Sequence, residues 1–171
     1  MIYTIGHSNL SVEEFTLLLD GHGVDTVVDI RSFPGSKRSP QFAEQSMREW
    51  LPRYVRLPKL GGRRRDKSSD PAINAGWENP SFKSYADYSL TDEYGEGLDE
   101  LLELSGSRTL AIMCGEPVPW RCHRAIVSNS LVARGVPVFH IMPGGTAVKH
   151  TIGLYGAAPL VHDDGSVTYP K

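Results

Sequence analysis

Residues 1–30, MIYTIGHSNLSVEEFTLLLDGHGVDTVVDI, contain the pattern that decides the fold. Met1–Ile5 is a short apolar segment followed by a glycine, which predicts a first buried strand. Ser11 and Glu14 have the spacing of a capping box, which predicts that a helix begins there. Val24–Ile30 is rich in β-branched residues and predicts a second strand. A strand, a helix and a strand within about 30 residues form a βαβ unit, so we expect the two strands to be parallel with a right-handed crossover.

A second unit of the same kind lies nearer the carboxyl terminus. Arg108–Cys114 predicts a third main strand, and Val136–Ile141 predicts a fourth. Between them, a helix is predicted from Trp120 or Arg121 to Ala133. We therefore expect one three-layer α/β domain over residues 1–171, with a mainly parallel sheet built from βαβ units.

The remaining segments are predicted to be shorter or irregular. Three further helices are expected between the two units, from Ser39 or Gln41 to Trp50, over Ser81–Tyr88 and over Thr91–Leu104. A short strand is expected over Tyr54–Leu57. Residues 61–76 are expected to form a mobile loop. In the tail, residues 145–171, the turn signal Asp163-Asp164-Gly165 favours a hairpin between Pro159–His162 and Ser166–Tyr169.

The composition excludes several classes of protein. The chain has 171 residues, close to the usual size of a single domain, and 40% of them are hydrophobic. Its apolar runs fall short of the roughly 18 residues of a membrane span, and its first residues lack the basic and apolar regions of a secretory signal. Two cysteines, Cys114 and Cys122, are too few for a disulfide framework. We therefore expect a cytoplasmic protein with no membrane partner.

The charge is unevenly distributed along the chain. Residues 31–67 hold eleven Lys or Arg and three Asp or Glu, a net charge of +8, whereas the rest of the chain holds seven and seventeen, a net charge of −10. A local excess of cations attracts phosphate or carboxylate groups, although a solvated basic loop has the same composition. An anionic small molecule or a nucleic acid is therefore the expected partner.

Polar and reactive residues follow the predicted strands. In open parallel sheets, ligands bind beyond the carboxyl ends of the strands, and those ends meet at one edge. The residues expected at this edge are His7, Ser8, Asp29, Arg31, Ser36, Cys114, Glu116, Arg121, Cys122, His123 and Arg124. Stability of a core does not require such a cluster of titratable groups, so the pattern favours a functional site.

The two cysteines are the residues of this cluster with the greatest potential reactivity. Cys114 ends a predicted strand, and Cys122 is expected in the first turn of the next helix, where the helix dipole stabilises a thiolate. Arg121 and Arg124 would act in the same direction, so either sulfur is a candidate nucleophile. Cys114 and Arg121 also approach the cysteine-loop-arginine pattern of tyrosine phosphatases. That loop is one residue too long here, and two prolines within it remove N–H donors that a phosphate would need.

Other residues of the cluster allow several roles. Asp29 and Arg31 are expected to form an ion pair that either serves the site or fixes the next loop. Glu116 and His123 are candidates for proton transfer. A zinc site at Cys114, Cys122 and His123, with His7 or His140 as fourth ligand, uses suitable residue types, but its spacing matches no compact zinc signature. No cofactor motif is present, and His22, His150 and His162 are expected to be solvated.

The basic loop offers a different kind of site. Leu60-Gly61-Gly62-Arg63-Arg64-Arg65 combines flexible backbone with three guanidinium groups, which suits a phosphate backbone. Aromatic residues near it in the sequence would stack bases or, equally, belong to the core: Tyr54, Trp77, Tyr85 and Tyr88.

Several blocks together resemble a known family. They are Thr4-Ile5-Gly6-His7-Ser8, Asp29-Ile30-Arg31-Ser32-Phe33-Pro34, Lys59-Leu60-Gly61-Gly62, Phe82-Lys83-Ser84-Tyr85-Ala86, and Met113-Cys114-Gly115-Glu116 with Cys122-His123-Arg124. In this order they resemble the family catalogued as domain of unknown function 488, over residue 4 to about residue 142. The resemblance implies a compact α/β fold and a polar constellation that includes both cysteines. It implies no particular reaction.

Three hypotheses of function follow from these patterns. In the first, the chain is an enzyme on a phosphate-bearing substrate, a nucleotide or nucleic acid. Its catalytic residues are Cys114, Glu116, Cys122, His123, His7 and Asp29, and its substrate-binding residues are Ser8, Arg31, Ser36, Arg63, Arg64, Arg121, Arg124 and Tyr85. In the second, it is a non-catalytic nucleic-acid-binding module. In the third, Cys114, Cys122 and His123 form a metal or redox site.

Overall fold

The computed structural model describes residues 1–171 and contains a six-stranded, mainly parallel sheet flanked by helices. The strands are β1 Ile2–Gly6, β2 Thr26–Asp29, β3 Tyr54–Arg56, β4 Leu110–Cys114, β5 Val138–Ile141 and β6 Ala147–Lys149. The helices are α1 Val12–Asp20, α2 Glu44–Trp50, α3 Pro80–Tyr88, α4 Asp92–Ser105 and α5 Arg124–Ala133. The predicted α/β class is confirmed, and so is the C-terminal hairpin, which pairs β7 Leu160–Val161 with β8 Val167–Thr168.

The strand order places the functional strand ends together. The order is β3-β2-β4-β1-β5-β6, with the first five strands parallel and β6 antiparallel to β5. The predicted parallel orientation of β1 and β2 is therefore confirmed, although β4 lies between them. Gly6 and Cys114 are register partners at the ends of β1 and β4, and Asp29 lies opposite Met113.

Alternating side chains divide the core into two layers. On one face, Val28 and Ile112 pack with residues of α3, α4 and α5, including Tyr85, Leu98 and Ile126. On the other face, the neighbouring strand residues pack with α1 and α2: Val27, Ala111 and Met113 against Phe15, Leu19 and Met47. Parallel sheets need such cover on both faces, which explains why their strands are almost continuously apolar.

Several predicted elements differ in detail from the structure. The helix predicted over residues 39–50 is divided into a 3-10 turn, Pro40–Phe42, and α2, because Ala43 between them has an extended backbone. The helix predicted from Trp120 or Arg121 begins only at Arg124. A 3-10 turn, Pro119–Arg121, precedes it, and Cys122 follows in an extended conformation. Strand β6 was not predicted, because three half-buried or exposed residues carry little periodic signal.

Residues 61–76 contain no helix or strand, as predicted, but their last part is held by the carboxyl-terminal tail. The Tyr169 N–H donates to the Ile73 carbonyl, and the Gly76 N–H donates to the Tyr169 carbonyl. Asn74 is buried and donates to Asp87 in α3. The chain contains no helix with the length and apolar character that crossing a membrane requires.

Candidate functional site

A cavity of about 1130 Å³ opens at the carboxyl edge of the sheet. It is lined by nine of the residues predicted for the site: Arg31, Arg63, Arg64, Tyr85, Cys114, Glu116, Arg121, Cys122 and His123. The two cysteines come from the end of β4 and from the residue pair that leads into α5. Five arginines and one glutamate line the cavity, so the lining has a net positive charge.

Cys122 and His123 form a thiol–imidazole pair. The Cys122 Sγ lies 3.5 Å from His123 Nδ1, and the Ile30 carbonyl lies 3.0 Å from His123 Nε2. A carbonyl only accepts hydrogen bonds, so Nε2 carries a proton and the neutral ring leaves a lone pair on Nδ1 facing the sulfur. The backbone of Ile30, the residue that follows β2, thus fixes the tautomer in which His123 Nδ1 is free to accept a proton.

The surroundings of the two thiols separate their acidities. Burial alone would raise the pKa of Cys122. Interaction with the Cys114 thiol, the charge that His123 carries once it holds the proton, the charge of Arg124, and the hydrogen bond with His123 outweigh burial and hold this pKa well below its usual value. The Arg124 N–H also donates to Cys122 Sγ at 3.4 Å. Burial, together with the bond to Cys122 and its charge, raises the pKa of Cys114 well above the usual value. Of the two thiols, Cys122 is therefore the more acidic.

The position of Cys122 relative to α5 differs from the prediction. It was expected within the first turn of the helix, whereas it precedes α5 by two residues. Its extended backbone aims the sulfur back at the N–H of Arg124, as an N-capping side chain would. The sulfur therefore still receives an N–H donor of the first helical turn.

Arg124, which was predicted to bind substrate, lies outside the cavity lining. Its side chain is 0% exposed. The guanidinium donates to the Glu116 carbonyl at 2.7 Å and to Thr4 Oγ1 at 3.4 Å, while its Nε has no partner. It is an internal cation beside the thiols. The Glu116 carbonyl therefore faces inward, which differs from a phosphatase loop, where N–H groups must face the ligand.

Asp29 and Arg31 form the expected ion pair, which is buried. Arg31 donates to both carboxylate oxygens of Asp29, at 2.9 and 2.7 Å, and its Nη1 lies 3.2 Å from His7 Nε2. The Tyr54 hydroxyl donates to the same carboxylate. Asp29 therefore orients Arg31 and has no contact with the cavity. One N–H of Arg31 Nη1 remains for a ligand, since Arg31 lines the cavity.

His7, Ser8 and Ser36 lie outside the cavity lining. His7 has both ring nitrogens engaged, because Nδ1 donates to the Ser8 carbonyl and Nε2 accepts from Arg31. Burial, and to a lesser extent Arg31, lowers the pKa of His7, so the ring is neutral. Ser8 bonds to Asn9, and Ser36 accepts the N–H of Ser39. These three residues support the surrounding loops.

The basic loop forms one wall of the cavity. Arg64 lies over the Tyr88 ring at 3.9 Å and donates to two carbonyls, whereas Arg63 is exposed over Phe33 at 5.5 Å. Gly62 lies directly against His123: a Cβ at this position would be 2.4 Å from His123 Nδ1. The loop therefore both supplies guanidinium groups and confines the imidazole.

The aromatic residues proposed to stack bases belong mainly to the interior. Trp77, Tyr85 and Tyr88 are buried, and the Tyr85 hydroxyl donates to the Leu60 carbonyl. Tyr85 still lines the cavity, where its ring meets His123 edge-on at 4.8 Å between centroids. Gly62 and Arg65 of the predicted basic loop also line the cavity, and the structure adds six residues that were not predicted for the site: Ser32, Phe33, Asn79, Ser81, Phe82 and Gly115. Asn79 was detectable in principle as the cap of α3.

His140 and His150 belong to a buried chain of hydrogen bonds, so the expectation that His150 is solvated was wrong. Thr4 Oγ1 lies 2.6 Å from His140 Nδ1, His140 Nε2 lies 2.8 Å from His150 Nδ1, and His150 Nε2 lies 2.8 Å from Asn129 Oδ1. Asn129 Oδ1 accepts the Gly153 N–H, which fixes it as the acceptor. Burial lowers the pKa of both histidines, and with both rings neutral every donor in the chain points toward Asn129.

The zinc alternative has no geometric support. No group of three His, Cys, Asp or Glu side chains is arranged to hold a metal ion. His7 bonds to Arg31, and His140 bonds to Thr4 and His150, so neither faces the two thiols as a fourth ligand. The two cysteines are unpaired.

Residues 11–131 match the protein family described as Domain of unknown function DUF488. The chain belongs to this family. The resemblance seen in the sequence is thereby confirmed, and the matched part of the DUF488 chain includes both cysteines, His123 and the arginines of the cavity. No curated protein and no solved structure matches the chain.

Proposed function

We propose that this DUF488 chain is an enzyme in which Cys122 acts as the nucleophile on a phosphate-bearing substrate, a nucleotide or nucleic acid. One observation carries the proposal: the Cys122 Sγ faces His123 Nδ1 at 3.5 Å, in a cavity lined by five arginines. A nucleophile beside a base that is itself oriented by a third group is the arrangement that covalent catalysis requires.

The roles of the residues follow from their contacts. His123 takes the proton of Cys122, and the Ile30 carbonyl holds the ring so that the lone pair stays on Nδ1. The thiolate then attacks the electrophilic atom of the substrate, and His123 returns the proton to the leaving group. Arg124 stabilises the thiolate from beneath, since its guanidinium is buried beside both sulfurs.

The cavity walls supply the contacts for an anion. Arg63, Arg65 and Arg121 are exposed at the cavity, and the free N–H of Arg31 Nη1 belongs to the same lining. Arg31 is held rigidly by Asp29, so it offers a fixed contact, whereas the exposed arginines adapt to the ligand. Exposed Glu116 also lines the cavity, where it is available to exchange protons with a bound substrate.

The proposal is tested by the pH dependence of alkylation at each cysteine, resolved by peptide mass spectrometry. Cys122 is expected to react with iodoacetamide at pH values well below the reference pKa of about 8.5, and Cys114 only slowly. Inorganic phosphate and a nucleotide mixture are each expected to slow alkylation of Cys122. If Cys122 titrates as an ordinary thiol and neither addition slows its alkylation, the proposal is wrong.

Two matched variants separate anion binding from general charge. Arg63→Ala removes a cavity arginine and is expected to weaken the protection by phosphate. Arg53→Ala removes an exposed arginine of the same basic segment that does not line the cavity, and it is expected to leave protection unchanged. Equal effects of the two substitutions would assign protection to the overall charge of the segment.

A second candidate, a non-catalytic nucleic-acid-binding module, is favoured by one observation. Phe33 is 70% exposed at the cavity, beside exposed Arg63, and an exposed ring next to guanidinium groups suits base stacking. This candidate predicts binding of single-stranded oligonucleotides that falls steeply with salt and is weakened by Phe33→Ala but not by Cys122→Ser. Absence of such binding at low salt would exclude it.

A further inference from the structure

The geometry points to Cys114 as a resolving thiol, and hence to an anionic, low-molecular-weight disulfide as the substrate class that Cys122 attacks. This inference rests on one part of the proposed function, Cys122 as the nucleophile in an arginine-lined cavity, and it replaces the nucleotide or nucleic acid of that proposal with an anionic disulfide. Two features of the cavity carry it. Both free thiols line the same cavity and lie against the same two residues: the Arg124 N–H donates to Cys122 Sγ at 3.4 Å, and the Glu116 carbonyl, which accepts from the Arg124 guanidinium, lies 3.9 Å from Cys114 Sγ. The cavity is also lined by guanidinium groups, which bind carboxylates and phosphates.

The two sulfurs have different partners, which separates their roles. Cys122 faces His123 Nδ1 and accepts the N–H of Arg124. Cys114 has no base beside it, and the nearest acceptor outside the pair is the Glu116 carbonyl, 3.9 Å from its sulfur. Cys114 is therefore the thiol that stays protonated while Cys122 is a thiolate.

A second thiol beside the nucleophile has a chemical use only for certain adducts. If Cys122 carried a phosphoryl or acyl group, attack by Cys114 at phosphorus or carbon would merely move that group to the second sulfur. If Cys122 carries a sulfur substituent, attack by Cys114 on Cys122 Sγ expels that substituent as a thiolate and joins the two cysteines. The pair therefore favours a substrate with an S–S bond.

The first step forms one S–S bond and breaks another. The thiolate of Cys122 attacks a disulfide R–S–S–R′, the bond between Cys122 and R–S forms, and R′–S⁻ leaves with the proton that His123 had taken. The negative charge on Cys122 is thereby removed. That charge and the bond to the thiolate are, after burial, the causes of the weak acidity of Cys114, so adduct formation activates the second thiol.

The second step completes the transfer of two electrons. Cys114 attacks Cys122 Sγ, the Cys114–Cys122 disulfide forms, and R–S⁻ leaves and takes the proton of Cys114. The substrate disulfide is reduced to two thiols, and the two cysteines are oxidised. A dithiol reductant then returns the protein to its starting state.

The experiment uses dithiobis(nitrobenzoate), an aromatic disulfide that carries two carboxylates. Because the chain has two cysteines, the count of released thiolates and the mass of the product describe the outcome fully. We expect two equivalents of thionitrobenzoate per folded chain, and a product that is lighter than the reduced protein by two hydrogens and carries no adduct. The variants Cys114→Ser and Cys114→Ala are expected to release one equivalent and to retain a stable adduct on Cys122.

Each other outcome overturns the inference in a recognisable way. One equivalent and a stable adduct on wild-type Cys122 would show that Cys114 does not resolve it, while leaving Cys122 as the nucleophile. Two equivalents with an adduct on each cysteine would show that the thiols react independently. No reaction at Cys122 would remove the inference and the proposed function together.

Discussion

At the scale of single residues, Gly62 controls the position of the proposed base. A Cβ at Gly62 would lie 2.4 Å from His123 Nδ1 and 2.6 Å from its Cε1, closer than non-bonded atoms approach. The imidazole would have to move, and its bonds to Cys122 and to the Ile30 carbonyl would lengthen. We therefore expect Gly62→Ala to raise the pKa of Cys122 toward the ordinary value of about 8.5, as measured by the pH dependence of its alkylation.

Gly35→Ala is the matched control for this substitution. Gly35 belongs to the loop after β2, and a Cβ there would have no atom within 4 Å. The pKa of Cys122 is expected to be unchanged in this variant. An unchanged pKa in Gly62→Ala as well would show that contact with Gly62 does not place His123.

The sequence revealed some of these residues and concealed others for physical reasons. Cys122 and His123 are adjacent, so their shared location was readable from the chain. Arg124 follows them, but its burial could not be predicted from the sequence, because a guanidinium is normally exposed. Its place in the interior is explained by the surrounding thiols and the Glu116 carbonyl, which only the fold brings together. The tautomer of His123 depends on Ile30, which lies far away in the sequence.

At the scale of elements, the start of α1 rests on local interactions that the sequence displays. The Glu14 N–H donates to Ser11 Oγ at 3.0 Å, and the Ser11 N–H donates to Glu14 Oε1 at 3.1 Å, so the predicted capping box is confirmed. We expect Ser11→Ala to lower the free energy of unfolding by about 1 kcal/mol, measured by urea denaturation. Ser107→Ala, at an exposed serine whose side chain makes no hydrogen bond, is expected to change it little. Equal losses would contradict the assignment to the cap.

Elements defined by local patterns were predictable, and their order in the sheet was not. The apolar runs and caps of β1, α1 and β2 lie within 30 residues. The insertion of β4 between β1 and β2 depends on packing across the whole chain. The late start of α5 reflects Pro119, which begins a separate 3-10 turn, so that Cys122 leaves the helical conformation before α5 begins.

At the scale of the whole molecule, the chain of hydrogen bonds through Thr4, His140, His150 and Asn129 joins β1, β5 and α5. Burial is the main cause that lowers the pKa of His140 to about 3, with the neighbouring His150 and Arg124 contributing, and burial lowers that of His150 to about 4. In the unfolded chain both histidines titrate near 6.5, so the unfolded state binds more protons below that pH. The stabilisation is complete above about pH 6.5 and is lost as the pH falls toward 4.

We therefore expect the free energy of unfolding to fall by about 1 kcal/mol per pH unit for each histidine between about pH 6 and pH 5. Urea denaturation at several pH values measures this slope. Replacing both with glutamine is expected to lower stability at pH 7 and to flatten the slope. His162→Gln, in the exposed hairpin, is expected to retain it. A wild-type slope that persists in the double variant would assign acid sensitivity to other groups.

The uneven charge of the whole molecule also predicts selectivity of the nucleophile. The +8 segment contributes four of the five arginines around Cys122, whereas the rest of the chain carries −10. An anionic reagent should therefore be concentrated at the cavity and a neutral one should not, and salt should screen the difference over a Debye length of about 10 Å at 0.1 M. We expect Cys122 to favour iodoacetate over iodoacetamide, relative to a free thiol, by several-fold at low salt and much less at high salt. Arg63→Ala should reduce this preference more than Arg53→Ala does. A preference that is independent of salt would mean that local contacts, and not the field of the cavity, select the substrate.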